Sequence, residues 1–169
     1  MTIAVKSEVK FLILSKKRVT FCLILLCVTT NLFAKELLAE IIVIDGDTAR
    51  GKYANELIKI RLAEIDAPEL KQAFGIESKN CLKRLIKQSD SKVFFKFKEK
   101  DRYNRHVGWI YSEDLDINLE MVKKGCAWVY DRYVKRKVLF KHQDNARENN
   151  IGLWENSEAI APWKWRRAN

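Results

Sequence analysis

Histidine, proline and glycine are scarce in this sequence, and its cysteines have no metal-binding spacing. The 169 residues include two His, two Pro, six Gly and four Cys. No Cys-x-x-Cys pair or Cys/His spacing predicts a zinc site. No glycine-rich loop ending in Lys-Ser or Lys-Thr predicts a phosphate-binding loop, and no internal repeat or long linker is present. Zinc modules, P-loop proteins and repeat proteins are therefore poor descriptions of the chain.

The composition is that of a soluble globular domain with a basic surface. Hydrophobic residues make up 47% and charged residues 32%, which is too apolar for a disordered chain and too charged for several membrane spans. The formal net charge is +10, and the part after residue 34 is still basic. A positive surplus favours polyanions such as nucleic acid, although a solvated lysine-rich surface gives the same count.

Residues 1–34 have the pattern of a signal peptide. Basic residues, among them Lys16 and Arg18, precede an uncharged apolar run over residues 19–30 that ends near Ala34. The run is short for a membrane span. We expect cleavage after Ala34 and export to a secreted or periplasmic location, with residues 35–169 as one domain. An uncleaved membrane anchor remains the alternative, because Leu32 is larger than the usual residue three places before a cleavage site.

Two cysteines remain after such a cleavage. Cys81 and Cys126 each lie in an apolar helical or helix-end segment, and the predicted compartment is oxidising. A disulfide and a pair of buried thiols are both compatible with this pattern.

Hydrophobic periodicity predicts a strand-rich first half with one inserted helix. Alternation predicts strands over residues 37–44, 57–62, 93–97 and 107–111. Helical spacing predicts helices over residues 76–87, from a cap at Asp116 through Lys124, and over residues 134–150. Short strands with helices inserted late favour a small closed barrel over a doubly wound sheet.

Two aspartates at strand ends are candidate ligands for a hard cation. Asp47 belongs to Asp45-Gly46-Asp47-Thr48, and Asp66 begins Asp66-Ala67-Pro68-Glu69. Each carboxylate could project from a rigid strand end into a common cleft, and such oxygen ligands suit Ca²⁺ or Mg²⁺. Asp-Gly-Asp taken alone is more typical of an ordinary turn than of a metal site.

A carboxylate and two arginines complete the residue types that phosphodiester cleavage needs. Glu69, just past Pro68, is the candidate general base that takes a proton from an attacking water. Arg61 and Arg105 could each give two parallel hydrogen bonds to phosphate oxygens. Tyr103, two positions before Arg105, could stack on a nucleotide or simply pack at the barrel rim.

Taken together, these motifs resemble the signature blocks of the staphylococcal (micrococcal) nuclease family. The blocks are Ile44-Asp45-Gly46-Asp47-Thr48, Ile60-Arg61-Leu62, Ile65-Asp66-Ala67-Pro68-Glu69 and Asp101-Arg102-Tyr103-Asn104-Arg105. The resemblance runs from about residue 39 to residue 154 and includes Gly152-Leu153-Trp154. It implies a mainly β domain, a five-stranded OB-fold barrel with three helices.

The resemblance also implies an activity: a Ca²⁺-dependent endonuclease that hydrolyses DNA and RNA and leaves 3′-phosphate ends. Carried over by motif, the metal ligands would be Asp47, Asp66 and the backbone carbonyl of Ala67. Glu69 would position or activate water, while Arg61 and Arg105 would hold the phosphate. Tyr130 and Tyr133 resemble the tyrosines that flank the nucleotide pocket of the family.

Two departures and one extra segment accompany the resemblance. The family has Thr at the position of Ala67, so a hydroxyl contact is lost while the carbonyl is kept. It has Gly at the position of Asn104, and Asn tolerates the same left-handed backbone. The segment Trp163-Lys164-Trp165-Arg166-Arg167 could pack on the barrel or grip polyanions.

The main alternative function is an OB-fold module that binds single-stranded nucleic acid without cutting it. The presence of all five key side chains favours hydrolysis, with Ca²⁺ as cofactor and DNA or RNA, preferably single-stranded, as substrate. We expect no stable protein partner and a monomeric chain.

Overall fold

The computed structural model describes residues 36–89 and 92–169, all within the compact unit Lys35–Asn169. The predicted signal peptide over residues 1–34 lies outside the described residues. No helix in the described part of the chain is long and apolar enough to cross a membrane.

Short strands dominate the first half of the domain. Their bounds are β1 Glu36–Leu37, β2 Ala39–Val43, β3 Thr48–Tyr53, β4 Glu56–Leu62, β5 Ile65–Asp66, β6 Phe94–Lys100, β7 His106–Tyr111 and β8 Trp128–Val129. The four predicted strand regions correspond to β1 with β2, then β4, β6 and β7. The strand β3, which contains Arg50 and Lys52 among short side chains, was not predicted.

Five strands of ordinary length form the main sheet, and β1 extends it at one edge. The order is β1-β6-β7-β4-β3-β2, with a parallel β4–β7 pair among antiparallel neighbours. The end strands β1 and β2 follow each other along the chain but are not paired, so hydrogen bonds do not close the sheet into a barrel. The small sheet β5–β8 lies apart from this order. The prediction of a mainly β OB-fold with inserted helices is confirmed, but the sheet is not closed and the described residues contain four helices instead of three.

Four α-helices occur in the described residues. They are α1 Gly75–Gln88, α2 Ile117–Lys123, α3 Val138–Glu148 and α4 Pro162–Ala168, with a 3₁₀ turn at Gly152–Glu155. The carboxylate of Asp116 accepts a hydrogen bond from the Leu119 amide at 2.9 Å, so the predicted cap of α2 is confirmed. The third helix is shorter than predicted at both ends, and α4 in the tail is additional.

The alternation predicted for residues 93–97 breaks within β6. Val93 and Phe95 are buried, as predicted, but 43% of Phe97 is exposed. The pairing of β6 with β7 shifts register between Phe97 and Glu99. One extra residue in a strand reverses the side to which the following residues point. The next inward-facing residue after Phe95 is therefore Lys98 and not Phe97. The side chain of Lys98 is 19% exposed and belongs to the wall of the functional cleft described below.

The core lies between the sheet and helices α1, α2 and α3. Its fully buried members include Ile60, Leu62, Leu82 and Met121. The side chain of Asn118, also fully buried, accepts a hydrogen bond from the Ile110 amide and donates to the carbonyls of Ala63 and Gly108. Since these carbonyls lie at the β4–β7 junction, Asn118 ties α2 to the parallel pair.

A disulfide joins α1 to the segment after α2. Cys81 and Cys126 are bonded across 45 residues of chain, which decides between the two arrangements that the sequence left open. The hydroxyl of Ser78, one turn earlier on α1, donates to the Cys126 carbonyl at 2.6 Å. Together these links fix the position of α1 relative to the strand β8.

The carboxylate of Glu64 anchors the loop between β8 and α3. It accepts hydrogen bonds from the Trp109 indole, from the amides of Lys135 and Arg136, and from the Arg136 guanidinium. Its side chain is 1% exposed. Burial by itself raises the pKa of Glu64, but these four donors outweigh it and leave the pKa below the ordinary glutamate value. The loop that carries Tyr130 and Tyr133 is thereby held against the sheet.

Removal of the disulfide should destabilise the domain. We expect the double variant Cys81→Ser/Cys126→Ser to lose about 2–4 kcal/mol of unfolding free energy, because the unfolded chain gains the freedom that the cross-link denies it. Urea denaturation of the variant, and of wild type with and without reductant, measures the effect. Equal midpoints for all samples would show that no such bond forms in solution.

Glu64 should give the domain a distinct pH dependence. Because its folded-state pKa is lowered, its stabilising contribution is complete above the ordinary glutamate range and is lost as the pH falls through the lowered value. We expect Glu64→Gln to cost about 2–4 kcal/mol at neutral pH, since a buried network loses its charge. Urea denaturation between about pH 3 and pH 7 should show a flatter pH dependence in the variant.

The matched control for that measurement is Glu40→Gln. Glu40 forms an exposed ion pair with Lys52 at 3.5 Å, and its side chain is 70% exposed. Such pairs contribute little to stability. A Glu64 variant as stable as this control would contradict the anchoring role.

Candidate active site

All nine residues predicted for the site line one cleft of about 660 Å³. The cleft lies where the turns after β2, β5 and β6 meet the loop after β8. The predicted residues that line it are Asp47, Arg61, Asp66, Ala67, Glu69, Tyr103, Arg105, Tyr130 and Tyr133. Residues up to 86 positions apart in the chain thus share one surface.

The turn that carries Asp47 is fixed by its own side chains. Asp45 Oδ1 accepts a hydrogen bond from the Asp47 amide at 3.1 Å, and the Thr48 hydroxyl donates to Asp47 Oδ1 at the same distance. A Cβ at Gly46 would lie 2.0 Å from the Ser78 hydroxyl and 2.6 Å from the Ala67 Cβ. Glycine therefore allows the turn to approach both α1 and the loop after β5. Asp47 precedes β3, rather than ending β2 as the sequence predicted.

Arg61 joins the two candidate metal-binding carboxylates. Its Nη2 lies 3.2 Å from Asp47 Oδ2 and 2.9 Å from Asp66 Oδ1. Its Nη1 donates to the Leu62 carbonyl at 2.5 Å, and its side chain is 11% exposed. The position on the polar face of β4 is the predicted one. The guanidinium holds the two aspartates together, a contact that the phosphate-binding role did not anticipate.

Ala67 contacts Asp47 through its backbone. Its amide donates to Asp47 Oδ2 at 2.7 Å, and no described residue donates a hydrogen bond to its carbonyl. That oxygen is available as a ligand, which agrees with the role implied by the resemblance. The amide bond also fixes the distance between the loops that carry Asp47 and Asp66.

The pKa values of two aspartates reflect crowded negative charge. Burial raises the pKa of Asp45, and the charge of Asp47 raises it further. Burial also raises the pKa of Asp66, with a further contribution from Asp47, against the opposing hydrogen bond and charge of Arg166 and the charge of Arg61. A positive ion beside these groups would relieve the repulsion.

The donor set fits a hard divalent cation. Asp47, Asp66 and the Ala67 carbonyl offer oxygen atoms only, the ligands that Ca²⁺ and Mg²⁺ prefer. Among the described residues no three His, Cys, Asp or Glu are grouped closely enough to hold a metal by themselves. The chain therefore offers a partial set of ligands, and water or substrate oxygens would complete it.

Arg105 lies at the end of a tight turn between β6 and β7. Asp101 Oδ1 accepts hydrogen bonds from the amides of Tyr103 and Arg105, and Asp101 Oδ2 accepts one from Arg105 Nε at 2.7 Å. Asn104 has a φ of 59°, which confirms that Asn occupies the left-handed position where the family has Gly. No described residue binds the two terminal nitrogens of Arg105. These donors remain free for an anion.

The predicted tyrosines form two aromatic groups in the cleft. The Tyr103 ring is 65% exposed and lies 5.5 Å from the Arg105 guanidinium carbon. Tyr130 and Tyr133 pack edge to face at 5.0 Å, and 50% of Tyr133 is exposed. Exposed rings near cationic groups offer surfaces on which bases can stack.

Glu69 lies at the outer end of the cleft, and Arg166 binds it. Arg166 Nη1 lies 2.7 Å from Glu69 Oε1, and Arg166 Nη2 lies 2.7 Å from Asp66 Oδ2. Burial lowers the pKa of Arg166, but the hydrogen bonds to both carboxylates outweigh it and raise the pKa above the ordinary arginine value. A Cβ at Gly75 would lie 1.9 Å from the Glu69 carbonyl, so glycine is required for the loop to fold back on α1.

Sequence reasoning missed two residues that shape the cleft. Glu64 anchors the tyrosine loop, and Arg166 contacts two of the predicted carboxylates. The only sequence signal for Arg166 was the Trp/Arg-rich tail, whose role stayed open. Nothing local marked Glu64, because its partners are more than 40 positions away.

Comparisons with known proteins agree with this geometry. The family model described as Staphylococcal nuclease homologue matches residues 59–156. A Haemophilus influenzae protein named "Uncharacterized endonuclease" is 46% identical over 124 residues, covering 73% of this chain and 68% of the relative. An Escherichia coli O157:H7 protein of the same name is 38% identical over 125 residues, covering 73% and 80%.

A relative with a more specific name supports the same assignment. The "Micrococcal nuclease" of Shigella flexneri is 37% identical over 138 residues, covering 75% of this chain and 78% of the relative. The region matched by the family model includes Arg61 and the later part of β4. The chain therefore belongs to the staphylococcal nuclease family and is a hydrolytic nuclease.

Proposed function

We propose that this nuclease is a Ca²⁺-dependent endonuclease that hydrolyses DNA and RNA and leaves 3′-phosphate ends. The observation that carries the proposal is the meeting of Asp47, Asp66, Glu69, Arg61 and Arg105 around one cleft. These are the groups that the chemistry needs: oxygen ligands, a base, a guanidinium that holds the carboxylates together and a second guanidinium with free donors for phosphate.

Asp47, Asp66 and the Ala67 carbonyl would hold the cation. When bound, Ca²⁺ would place positive charge beside the phosphate oxygens and would offset part of the repulsion between the two aspartates. Asp45 helps to orient Asp47, because its carboxylate accepts a hydrogen bond from the Asp47 amide. The buried Arg61 keeps the pair together whether or not substrate is present.

Glu69 would accept the proton of the attacking water at its carboxylate. The water oxygen attacks phosphorus, and the bond from phosphorus to the 5′ oxygen breaks. The departing 5′ oxygen takes up a proton from solvent, which leaves a 5′ hydroxyl on one product and the phosphate on the 3′ side of the other. Arg105 would donate to the phosphate oxygens through its two free terminal nitrogens. Its Nε bond to Asp101 fixes the plane of the guanidinium before substrate arrives.

Single strands are the preferred substrate in this proposal. The exposed rings of Tyr103 and Tyr133 can stack on bases only where those bases are unpaired. Lysines of the cleft wall, Lys98 and Lys100, add the positive charge that a phosphate backbone requires.

We also propose that the protein is exported. The disulfide between Cys81 and Cys126 suits an oxidising compartment, and the signal-peptide pattern of residues 1–34 suits the same route. Secretion and retention in a periplasm both satisfy these observations. Mass analysis of the exported protein should find Lys35 as the first residue.

The central prediction concerns Glu69. Purified residues 35–169 should cut single-stranded DNA and RNA in Ca²⁺, stop in chelator and resume when Ca²⁺ is restored. Glu69→Gln should lower kcat by about 10²–10⁴, because the variant has lost the proton acceptor. Labelled oligonucleotides in a gel assay measure both effects, and removal of terminal phosphate by phosphatase identifies the 3′ ends.

The matched control is Glu148→Gln, an exposed residue at the end of α3 outside the cleft. It should cut like wild type. Cutting that survives both chelator and Glu69→Gln would place the chemistry elsewhere. Tight binding of single strands by wild type without any cutting would instead select the non-catalytic OB-fold module.

Arg105 should affect turnover more than metal binding. Arg105→Ala removes donors to the phosphate, so kcat should fall by about 10²-fold while the calorimetric Kd for Ca²⁺ hardly changes. Arg84→Ala, an exposed arginine on α1, is the control and should leave both quantities unchanged. Equal losses of turnover and of Ca²⁺ affinity would contradict the phosphate-binding role.

A further inference from the structure

The C-terminal segment returns to the cleft from outside the region that the family model matches. That match ends at residue 156, whereas α4 spans Pro162–Ala168. Before the helix begins, Gln72 Nε2 donates to the Ile160 carbonyl at 2.6 Å. Ala161 is 4% exposed and belongs to a second buried cluster with Trp128. The start of α4 is therefore anchored to the loop that follows Glu69.

Aromatic packing sets the rotation of α4 about its axis. The Trp163 ring stacks on Tyr130, with centroids 5.4 Å apart and planes 12° apart. It also meets Trp128 edge to face at 5.7 Å. Residues three positions apart share a face of a helix, so Trp163 against the sheet brings Arg166 to the cleft side. A short helix at the chain terminus thus acquires a defined orientation.

Arg166 links two carboxylates that the proposed reaction uses. Its Nη2 donates to Asp66 Oδ2 at 2.7 Å, and its Nη1 lies 3.3 Å from Asp66 Oδ1 and 2.7 Å from Glu69 Oε1. One guanidinium therefore makes a two-point contact with Asp66 and a third contact with Glu69. This is the fork geometry that arginine provides and lysine does not.

Glu69 has no other restraint on its side chain within the described residues. Its amide donates to Gln72 Oε1 at 3.2 Å, which fixes the backbone only. The side chain is 37% exposed, and Arg166 is its sole ion-pair partner in the described chain. A glutamate of that exposure samples several rotamers unless a contact selects one. While its carboxylate is turned away from the reacting water, it cannot accept the proton of that water.

We propose that Arg166 is a positioning residue for the nuclease reaction, holding the Glu69 carboxylate beside Asp66. The inference rests on the proposed role of Glu69 as the base. Arg166 acts through Glu69, so its removal lowers the fraction of molecules whose base is in place. The tail helix is then part of the active site rather than an appendage.

The test uses Arg166→Gln and Arg166→Lys at saturating Ca²⁺. We expect Arg166→Gln to lower kcat by about tenfold with KM little changed, because orientation of the base is lost while substrate contacts remain. Arg166→Lys keeps one donor to Glu69 and should recover part of the rate. Arg167→Gln, the exposed neighbour on the same helix, should match wild type. Circular dichroism and melting temperature establish that each variant is folded.

A double-mutant cycle separates positioning from a general structural effect. If Arg166 acts through Glu69, adding Arg166→Gln to Glu69→Gln should cost no further activity. A crystal structure of Arg166→Gln should show the Glu69 carboxylate displaced or spread over several rotamers. Additive losses, or a Glu69 side chain that keeps its place, would overturn the proposal.

Three remaining outcomes also decide the question. Tighter Ca²⁺ binding together with faster cutting in Arg166→Gln would show that Arg166 competes with the cation for Asp66, and the positioning role would be wrong. A wild-type chain that cuts, with Glu69→Gln inactive and Arg166→Gln normal, would refute this inference alone. Wild-type activity that is indifferent to Glu69→Gln would refute the proposed function instead.

Discussion

Repulsion among clustered carboxylates is the constraint on which the cleft depends. Burial raises the pKa of both Asp45 and Asp66, and the charge of Asp47 raises each further. A folded chain tolerates such a group only where donors and opposite charge compensate it. Arg61 does so from β4 by contacting Asp47 and Asp66, and Arg166 does so from the C-terminal helix. Arg61 and Arg166 are 105 positions apart in the chain, so charge compensation in the cleft depends on the tertiary fold.

The lining of the cleft combines two kinds of chemical group. Asp47, Asp66 and Ala67 present oxygen atoms, which suit a hard cation. Arg105 and Lys98 present positive charge, which suits a phosphate backbone, and Lys98 also pairs with Glu99 at 2.6 Å. Lys98 reaches this wall because the register shift in β6 turns it inward in place of Phe97. An irregularity in a strand thus contributes directly to the character of the site.

The scaffold positions these groups through a few buried polar contacts. Asn118 ties α2 to the β4–β7 pair from which Arg61 projects, and Glu64 holds the loop of the aromatic residues. Gly46 and Gly75 allow loops to approach α1 more closely than any side chain would permit. Each contact joins segments that are distant in sequence. The precision of the cleft is therefore a property of the tertiary structure, although its residues lie in short local motifs.

The sequence by itself predicted which residues would line one cleft and which elements flank them. Asp47, Asp66, Glu69, Arg61 and Arg105 were found from local motifs, because turn chemistry, strand alternation and capping are written in neighbouring residues. The cap at Asp116 and the left-handed Asn104 are predictable for the same reason.

Only the tertiary structure decided the pairing of Cys81 with Cys126, the outward turn of Phe97 and the contact of Arg166 with Glu69. Each of these depends on which distant segments meet and in which register. Hydrophobic periodicity indicates which face of a helix or strand is buried and how long the element is. It carries no information about the segment that packs against that face. Contacts between segments far apart in the chain are therefore settled by packing and charge compensation in the assembled fold.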